Sequence, residues 1–294
     1  MEKDKKVVGF KPPQNKTNNR IIPGLDLNSV ENKQIDWVQE IDKIKTDPQD
    51  IRDFKVEWII PHCIAKGTIT MYYGPSGIGK SWASLFTGVW CLKNKKNTKI
   101  TRVIYIDADN GLVTLNDRKI DRLISRLKAL KYIAINTPQF AERSGKYADE
   151  FIGFYLLNLS KKFNKEKMKR QMTNTLIVID SIRDFLENMV DKVESKNFMK
   201  LLKKMRDEYH ATVLFINHTP KIPEGKPITT YSGASDLKDS IDTAYQVVPV
   251  DADKENLKFM LKMEKARIGG QEFVICIKPK KFEVTIEVKN EINK

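Results

Sequence analysis

The chain contains few cysteines and no long apolar run. Its three cysteines, Cys63, Cys91 and Cys276, lie far apart and lack the paired spacing of a zinc site or a disulfide framework. No apolar stretch approaches the roughly 18 residues that a membrane-spanning helix needs. The charged first residues are not followed by the apolar run of a signal peptide. These absences favour a cytoplasmic protein in a reducing compartment, with no membrane partner.

Aromatic residues are missing from much of the first part of the chain. Residues 11–34 contain none and are rich in Asn, Lys and Pro, which is typical of poorly ordered chain. We therefore interpret residues 1–55 as a flexible extension that includes one short amphipathic helix at 35–44. Residues 56–294 form the main domain in this prediction.

Acidic residues are too few to balance the basic ones. Lys and Arg total 52 against 38 Asp and Glu, which gives a formal net charge of +14. Such an excess favours a polyanionic partner, most often nucleic acid, although an ordinary lysine-rich surface is the alternative. The basic segment 161–170 fits a solvated helix face better than a nucleic-acid contact.

Apolar strands and helical patterns alternate through the main domain. Four apolar runs precede or follow helical patterns, at residues 68–73, 103–106, 176–179 and 212–216, with helices predicted at 80–93, 112–130 and 195–209. This alternation predicts an α/β fold with a mainly parallel, twisted sheet and helices on both faces. Strand-like runs between residues 244 and 288 predict a C-terminal antiparallel extension of that sheet.

Residues 74–81 fit the phosphate-binding pattern G-x-x-x-x-G-K-[ST] at every position, directly after an apolar strand. Its glycines allow backbone N–H groups to approach phosphates, and the following helix presents its positive end to them. We predict that Lys80 reaches the β- and γ-phosphates of ATP and that Ser81 binds Mg²⁺. The predicted nucleotide contacts are Gly74, Pro75, Ser76, Gly77, Ile78, Gly79, Lys80, Ser81 and Trp82.

Carboxylates follow two other predicted strands. Asp180 ends the third strand and is a candidate magnesium ligand, with a helix cap as the alternative. Asp107 and Asp109 follow the second strand, and either could activate the attacking water. A loop carboxylate that hydrogen-bonds its own turn is the alternative for these two.

The fourth strand ends in Asn217 and His218, either of which could hydrogen-bond the γ-phosphate. The following loop, 219–233, contains Lys221 and Lys226, which we predict to contact nucleic acid.

Further along, Lys265 and Arg267 point to the same side of an extended segment. A guanidinium suits transition-state charge on a neighbour's γ-phosphate, whereas the alternative is a basic hairpin tip in solvent.

These segments, in this order, resemble the RecA-like ATPases of the DnaB-type and plasmid RepA-type hexameric helicases across residues 56–280. The segments that carry the resemblance are residues 58–61, 106–109, 176–185, 215–221 and 265–269. The resemblance implies a RecA-like P-loop fold and assigns the catalytic carboxylate to Asp109. It also implies that His218 senses the γ-phosphate and that Lys265 and Arg267 act on an adjacent protomer's ATP.

The sequence departs from that family at two places. Asp109 stands where the family usually has Glu. RepA-type proteins carry an Arg before the Gly-Ser at the end of the loop, but residues 231–235 contain none, so the arginine-finger role in an adjacent ATP site falls to Arg267. The resemblance implies an ATP-driven helicase or translocase, assembled as a hexameric ring on single-stranded DNA. Its setting would be bacterial, plasmid or phage replication, with a primase, polymerase or loader as partner. The alternatives are a filament-forming recombination or repair ATPase and a regulatory ATPase with a protein partner.

Overall fold

The computed structural model describes residues 37–144, 165–186, 192–219, 235–253 and 255–289. The predicted nucleic-acid contacts Lys221 and Lys226 lie outside the described residues, as does the predicted poorly ordered stretch 11–34. The chain divides into two compact units, Met1–Phe54 and Lys55–Lys294.

The described part of the first unit consists of two short helices. The first, α1 (Trp37–Ile44), lies where the sequence predicts an amphipathic helix. The second, α2 (Pro48–Asp53), begins at a proline. Its preceding residue, Asp47, caps it, because the carboxylate accepts a hydrogen bond from Gln49 N at 2.7 Å.

The second unit is built on a nine-stranded sheet with the spatial order β11-β10-β9-β8-β3-β7-β6-β4-β5. Strands β3 to β8 pair in parallel, and β9, β10 and β11 continue the sheet antiparallel to their neighbours. A separate small hairpin joins β1 and β2. The strands are β1 (Trp58–Ile60), β2 (Ile64–Ala65), β3 (Ile69–Gly74), β4 (Arg102–Asp107), β5 (Leu130–Ala134), β6 (Thr175–Asp180), β7 (Thr212–His218), β8 (Thr243–Ala252), β9 (Leu257–Ala266), β10 (Phe273–Lys278) and β11 (Glu283–Val288).

Helices pack against both faces of this sheet. They are α3 (Lys80–Lys93), α4 (Lys95–Thr98), α5 (Leu112–Asp117), α6 (Ile120–Arg126), α7 (Pro138–Ser144), α8 (Lys165–Met172), α9 (Lys192–Tyr209) and α10 (Ser235–Ser240), with short 3₁₀ turns at Ile182–Phe185 and Pro279–Lys281. All six residues of β3 and of β6 are buried, as expected for strands covered on both sides. One buried cluster includes Phe86 of α3, and the other includes Leu202 of α9. The predicted fold class is confirmed.

The single helix predicted over residues 112–130 is wrong. The structure has α5 and α6 there, separated at Lys119, which adopts a left-handed backbone with φ of 54°. The edge strand β5 follows and was not predicted. Its sequence lacks the apolar pattern of a buried strand, because only Leu130 of its five residues is fully buried. The helical spacing of apolar residues that precedes it also continues as far as Leu130.

In the part of the chain that the structure describes, no helix combines the length and apolar character needed to cross a membrane.

Candidate nucleotide-binding site

The phosphate-binding loop joins the end of β3 to the start of α3, as the sequence predicts. Gly77 and Gly79 both have left-handed backbones, with φ of 79° and 94°. A Cβ on Gly79 would lie 2.5 Å from the ring of Phe259 on β9, so a side chain at this position would push against a buried aromatic ring. The loop can therefore close on phosphates only with glycine at position 79.

Lys80 occupies the centre of the site. Its side chain is only 4 % exposed, and Nζ donates a hydrogen bond to the Pro75 carbonyl at 2.6 Å. Burial lowers the pKa of Lys80 to about 8, although the nearby Asp180 and Asp109 carboxylates oppose that shift. An ammonium held this way is placed to meet the negative charge of a nucleotide's phosphates.

Asp180 ends β6 beside the loop and is 1 % exposed. The Tyr105 hydroxyl donates to its Oδ2 at 2.6 Å, and the Ser81 hydroxyl also hydrogen-bonds it. Burial raises the pKa of Asp180 to about 7, and the Asp107 charge adds to this while the two hydroxyl bonds oppose it. Ser81 and Asp180 thus bring a hydroxyl and a carboxylate together, and such oxygen donors fit Mg²⁺.

The two carboxylates after β4 have different surroundings. Asp107 is buried, and its carboxylate accepts hydrogen bonds from Asp109 N at 3.0 Å, Asn110 N at 2.9 Å and the Tyr132 hydroxyl. Burial raises the pKa of Asp107, and these donors oppose the shift. Asp109 is exposed and its charge acts on Lys80 and His218. Of the two, only Asp109 faces the site.

His218 ends β7, where it is the register partner of Gly74 on β3. Its Nδ1 lies 3.4 Å from Lys80 Nζ. Burial lowers the pKa of His218, and the Lys80 charge lowers it further, so the ring is neutral at pH 7. Asn217 is fully buried, and its amide oxygen accepts from His218 N at 2.8 Å. The Asn217 side chain therefore fixes the backbone at the end of β7, and His218 faces the phosphate loop.

Lys80, Asp180 and His218 line one polar cavity of about 320 Å³, together with Asp109. Its lining consists of Ser76, Gly77, Gly79, Lys80, Ser81, Trp82, Asp109, Arg118, Asp180, Ile216 and His218. Larger concavities of about 550 and 450 Å³ lie near the β11 and β5 edges of the sheet, but no phosphate-loop residue lines them. Chemistry rather than size identifies the smaller cavity as the candidate site.

Arg118 is a cavity residue that the sequence did not reveal. It caps the end of α5, and its guanidinium carbon lies 5.4 Å from the centre of the Trp82 ring. A guanidinium over an aromatic face is held in a defined orientation. The cavity therefore contains two cationic side chains, Lys80 and Arg118, within one chain.

Lys265 and Arg267 do not line this cavity. Lys265 pairs with Ala244 near the start of β8, and Arg267 N donates to the Asp242 carbonyl at 2.9 Å. Asp242 in turn binds Ile69 at the start of β3, whereas the phosphate loop leaves the other end of that strand. The length of β3 separates them by about 17 Å, at roughly 3.3 Å per residue. The Arg267 guanidinium contacts Asp242 Oδ1 at 3.4 Å and the Asp239 carbonyl at 2.5 Å.

A mainly parallel sheet with a phosphate loop at its carboxyl edge and a carboxylate on a neighbouring strand defines a P-loop, nucleotide-dependent ATPase. Comparison with protein families agrees. The family described as AAA domain matches residues 39–224, more than half of the sequence, and the chain belongs to that family. A comparison with curated proteins gives no match.

Proposed function

We propose that the chain is an ATP-dependent, ring-forming helicase or translocase that acts on single-stranded DNA in replication. The observation that carries the proposal is the position of Arg267. It lies beside the amino-terminal ends of the parallel strands, whereas the chain's own cavity lies at their carboxyl ends. Arg267 can therefore serve an ATP molecule only on another protomer. Head-to-tail contacts of that kind close into rings when the rotation between protomers allows it.

The cavity residues divide the work of ATP hydrolysis in this proposal. The loop amides and Lys80 hold the β- and γ-phosphates, and Ser81 and Asp180 would hold Mg²⁺, which neutralises phosphate charge when bound. Asp109 orients a water molecule and accepts its proton as the water oxygen attacks the γ-phosphorus. The bond from that phosphorus to the bridging oxygen breaks, and ADP and phosphate leave.

Two further groups respond to the γ-phosphate. Neutral His218 hydrogen-bonds it and precedes the segment 219–233, whose Lys221 and Lys226 would contact strand phosphates. Arg267 of the adjacent protomer, with Lys265 beside it, offsets negative charge in the transition state. A primase, polymerase or loader is the partner expected for such a ring in a bacterial, plasmid or phage replication system.

Strand displacement on forked DNA tests this proposal. The wild type is expected to unwind the fork with ATP and magnesium, whereas Lys80→Ala loses both unwinding and turnover while remaining folded. Lys96→Ala removes an exposed lysine from α4 and serves as the charge-matched control. Turnover by Lys80→Ala would contradict the assigned site.

A filament-forming recombination or repair ATPase is the second candidate, because it would use the same cavity and the same contact between protomers. Images of the nucleotide-bound protein on DNA distinguish a closed ring from a filament. A wild type that neither binds DNA at low salt nor turns over faster with it would contradict both DNA functions and favour a regulatory ATPase.

A further inference from the structure

Two tyrosines on neighbouring strands stack beneath the catalytic edge of the sheet. Tyr105 on β4 and Tyr132 on β5 are register partners. Their ring centres are 5.0 Å apart, and the rings are nearly parallel, at 12°. Tyr105 is 1 % exposed, and both rings pack in the core on the α3 side of the sheet. The stack fixes each ring against the other, because neither can turn without losing this contact.

Each phenol hydroxyl donates to a carboxylate on the neighbouring strand. That carboxylate lies two register positions nearer the carboxyl ends of the strands than the tyrosine does. Tyr132 donates to Asp107, whose register partner on β5 is Ala134. Tyr105 donates to Asp180, whose register partner on β4 is Asp107. The same diagonal contact therefore occurs twice across three strands, and it gives each buried carboxylate a phenol donor.

Asp107 in turn holds the loop that contains Asp109 through hydrogen bonds. Its carboxylate accepts from Asp109 N at 3.0 Å and from the Asn110 side-chain amide at 3.0 Å. The Ala108 N–H donates to the Asp180 carbonyl at 2.6 Å, which ties the loop to β6 as well. A change in the orientation of Asp107 therefore moves the backbone of Asp109.

We propose that Tyr132 and Tyr105 are positioning residues with separate roles in the ATPase reaction. Tyr132 fixes Asp107 and, through it, the placement of Asp109 over the attacking water. Tyr105 fixes the carboxylate of Asp180 and thereby the magnesium side of the site. The inference rests on the roles proposed above for Asp109 and Asp180.

Removal of each hydroxyl tests the division of roles. Tyr132→Phe is expected to lower kcat about tenfold and leave the Kd for ATP unchanged, because the phosphate loop is untouched. Tyr105→Phe is expected to raise the magnesium concentration for half-maximal turnover about tenfold, since Asp180 is then held by the Ser81 hydroxyl without the phenol.

Tyr72→Phe is the matched control. Tyr72 is fully buried on the same face of the sheet, and its hydroxyl lies 3.1 Å from Thr87 Oγ1 on α3 rather than near a carboxylate. This variant loses a buried phenol hydrogen bond to a neutral hydroxyl and is expected to change stability but neither kcat nor the magnesium requirement. If Tyr132→Phe does not fold, Asn110→Ser removes the amide donor to Asp107 and is expected to give the same loss of kcat.

The possible outcomes separate the two proposals. The positioning roles alone would be overturned if the wild type hydrolyses ATP and both Tyr132→Phe and Tyr105→Phe keep the kcat and the magnesium requirement of Tyr72→Phe. Equal losses in ATP affinity, kcat and magnesium response in both variants would overturn their separation. A wild type that hydrolyses ATP but unwinds no DNA contradicts the proposed helicase and leaves this inference standing, since turnover is measured without DNA. A wild type without turnover overturns both.

Discussion

Lys80 combines a functional charge with a cost in stability. Its ammonium is buried, and burial lowers the pKa from an ordinary value of 10.5 to about 8. The folded chain therefore binds this proton less tightly than the unfolded chain does. At pH values below about 8, both forms are protonated and the buried charge destabilises the fold. As pH rises from about 8 to 10.5, the folded form sheds the proton first and this cost disappears.

Lys80→Met is accordingly expected to abolish ATP binding and yet stabilise the protein without nucleotide. The gain at pH 7 should be on the order of 1–3 kcal/mol in the free energy of unfolding. It should shrink as the pH approaches 10. Denaturant unfolding at several pH values measures it, with Lys96→Met, an exposed lysine on α4, as the control. A variant less stable than the wild type at pH 7 would contradict the cost assigned to the buried ammonium.

Arg118 is expected to contribute to nucleotide binding within its own chain. Nucleotide phosphates together with Asp109 and Asp180 bring more negative charge to the cavity than Lys80 alone offsets. Arg118→Gln should therefore weaken ATP binding about tenfold, the typical strength of one charge-assisted hydrogen bond. Lys119→Gln removes the same charge from the next, exposed residue and should bind ATP like the wild type. Equal effects of the two substitutions would mean that Arg118 acts only through net charge.

The sequence located the phosphate loop and Asp180 because a contiguous motif and a strand end mark them. It could not locate Arg118, which lies at the C-terminal end of α5, because no local pattern shows that this helix end reaches the cavity. The choice between Asp107 and Asp109 came from family resemblance. The structure adds a physical reason, since Asp107 is buried and used by its own loop while Asp109 is exposed toward Lys80.

At the scale of elements, the β1–β2 hairpin holds the turn between β9 and β10. Gly270 N and Gln271 N both donate to the His62 carbonyl, at 2.9 and 3.1 Å. The Tyr245 hydroxyl bonds the Cys63 carbonyl at 2.8 Å on the same hairpin. The segment containing Lys265 and Arg267 leads directly into this turn, so the hairpin limits how far that segment can move.

Gly269, in the turn after β9, lies against the hairpin. A Cβ there would lie 2.5 Å from the His62 carbonyl and 2.7 Å from the Trp58 ring, and φ is 69°. Gly269→Ala should therefore lower the free energy of unfolding by about 1–3 kcal/mol, through left-handed strain and the displaced hairpin. Gly111→Ala is the control, because its Cβ would meet nothing within 4 Å and its φ is −82°. Thermal unfolding of both variants decides this, and similar midpoints would contradict the close packing.

Pattern strength also explains which elements the sequence predicted. β3 and β6 are apolar and bounded by clear turns, and both were predicted within a residue or two. β5 is an edge strand that contains a lysine and a half-buried tyrosine. It therefore lacks the continuous apolar run by which the other parallel strands are recognised. Yet β5 supplies Tyr132, and its hydrogen bond to Asp107 joins residues too far apart along the chain for the sequence to pair them.

At the scale of the whole molecule, β9 runs from the phosphate loop to the end of the sheet where Arg267 lies. Phe259, near its start, packs against Gly79 of the phosphate loop. Ala266, at its end, pairs with Thr243 at the opposite edge, beside Arg267. One strand thus joins the candidate nucleotide cavity to the basic segment that contains Lys265 and Arg267.

Arg267 can give up its side-chain contacts at little cost, because its bond to the Asp239 carbonyl, at 2.5 Å, is exposed to water and Asp242 has other partners. Asp242 keeps two shorter hydrogen bonds from Arg206, at 2.9 and 3.1 Å, and one from Ile69 N at 2.8 Å. Its contact with Arg267 is longer, at 3.4 Å, and Arg267 is half exposed. Arg267→Ala should therefore fold with nearly wild-type stability, because Asp242 stays paired.

Mixing two inactive variants tests whether Arg267 acts on a neighbour. Lys80→Ala lacks its own phosphate contact but still offers Arg267, whereas Arg267→Ala retains an intact cavity and offers no guanidinium. Each should be inactive alone, and co-assembly should restore about a quarter of wild-type turnover, since random neighbours complete that share of the sites. Mixing Lys80→Ala with the Lys80→Ala, Arg267→Ala double variant should restore none. Turnover that stays at background in the first mixture, although both variants assemble like the wild type, would show that Arg267 does not complete an adjacent site.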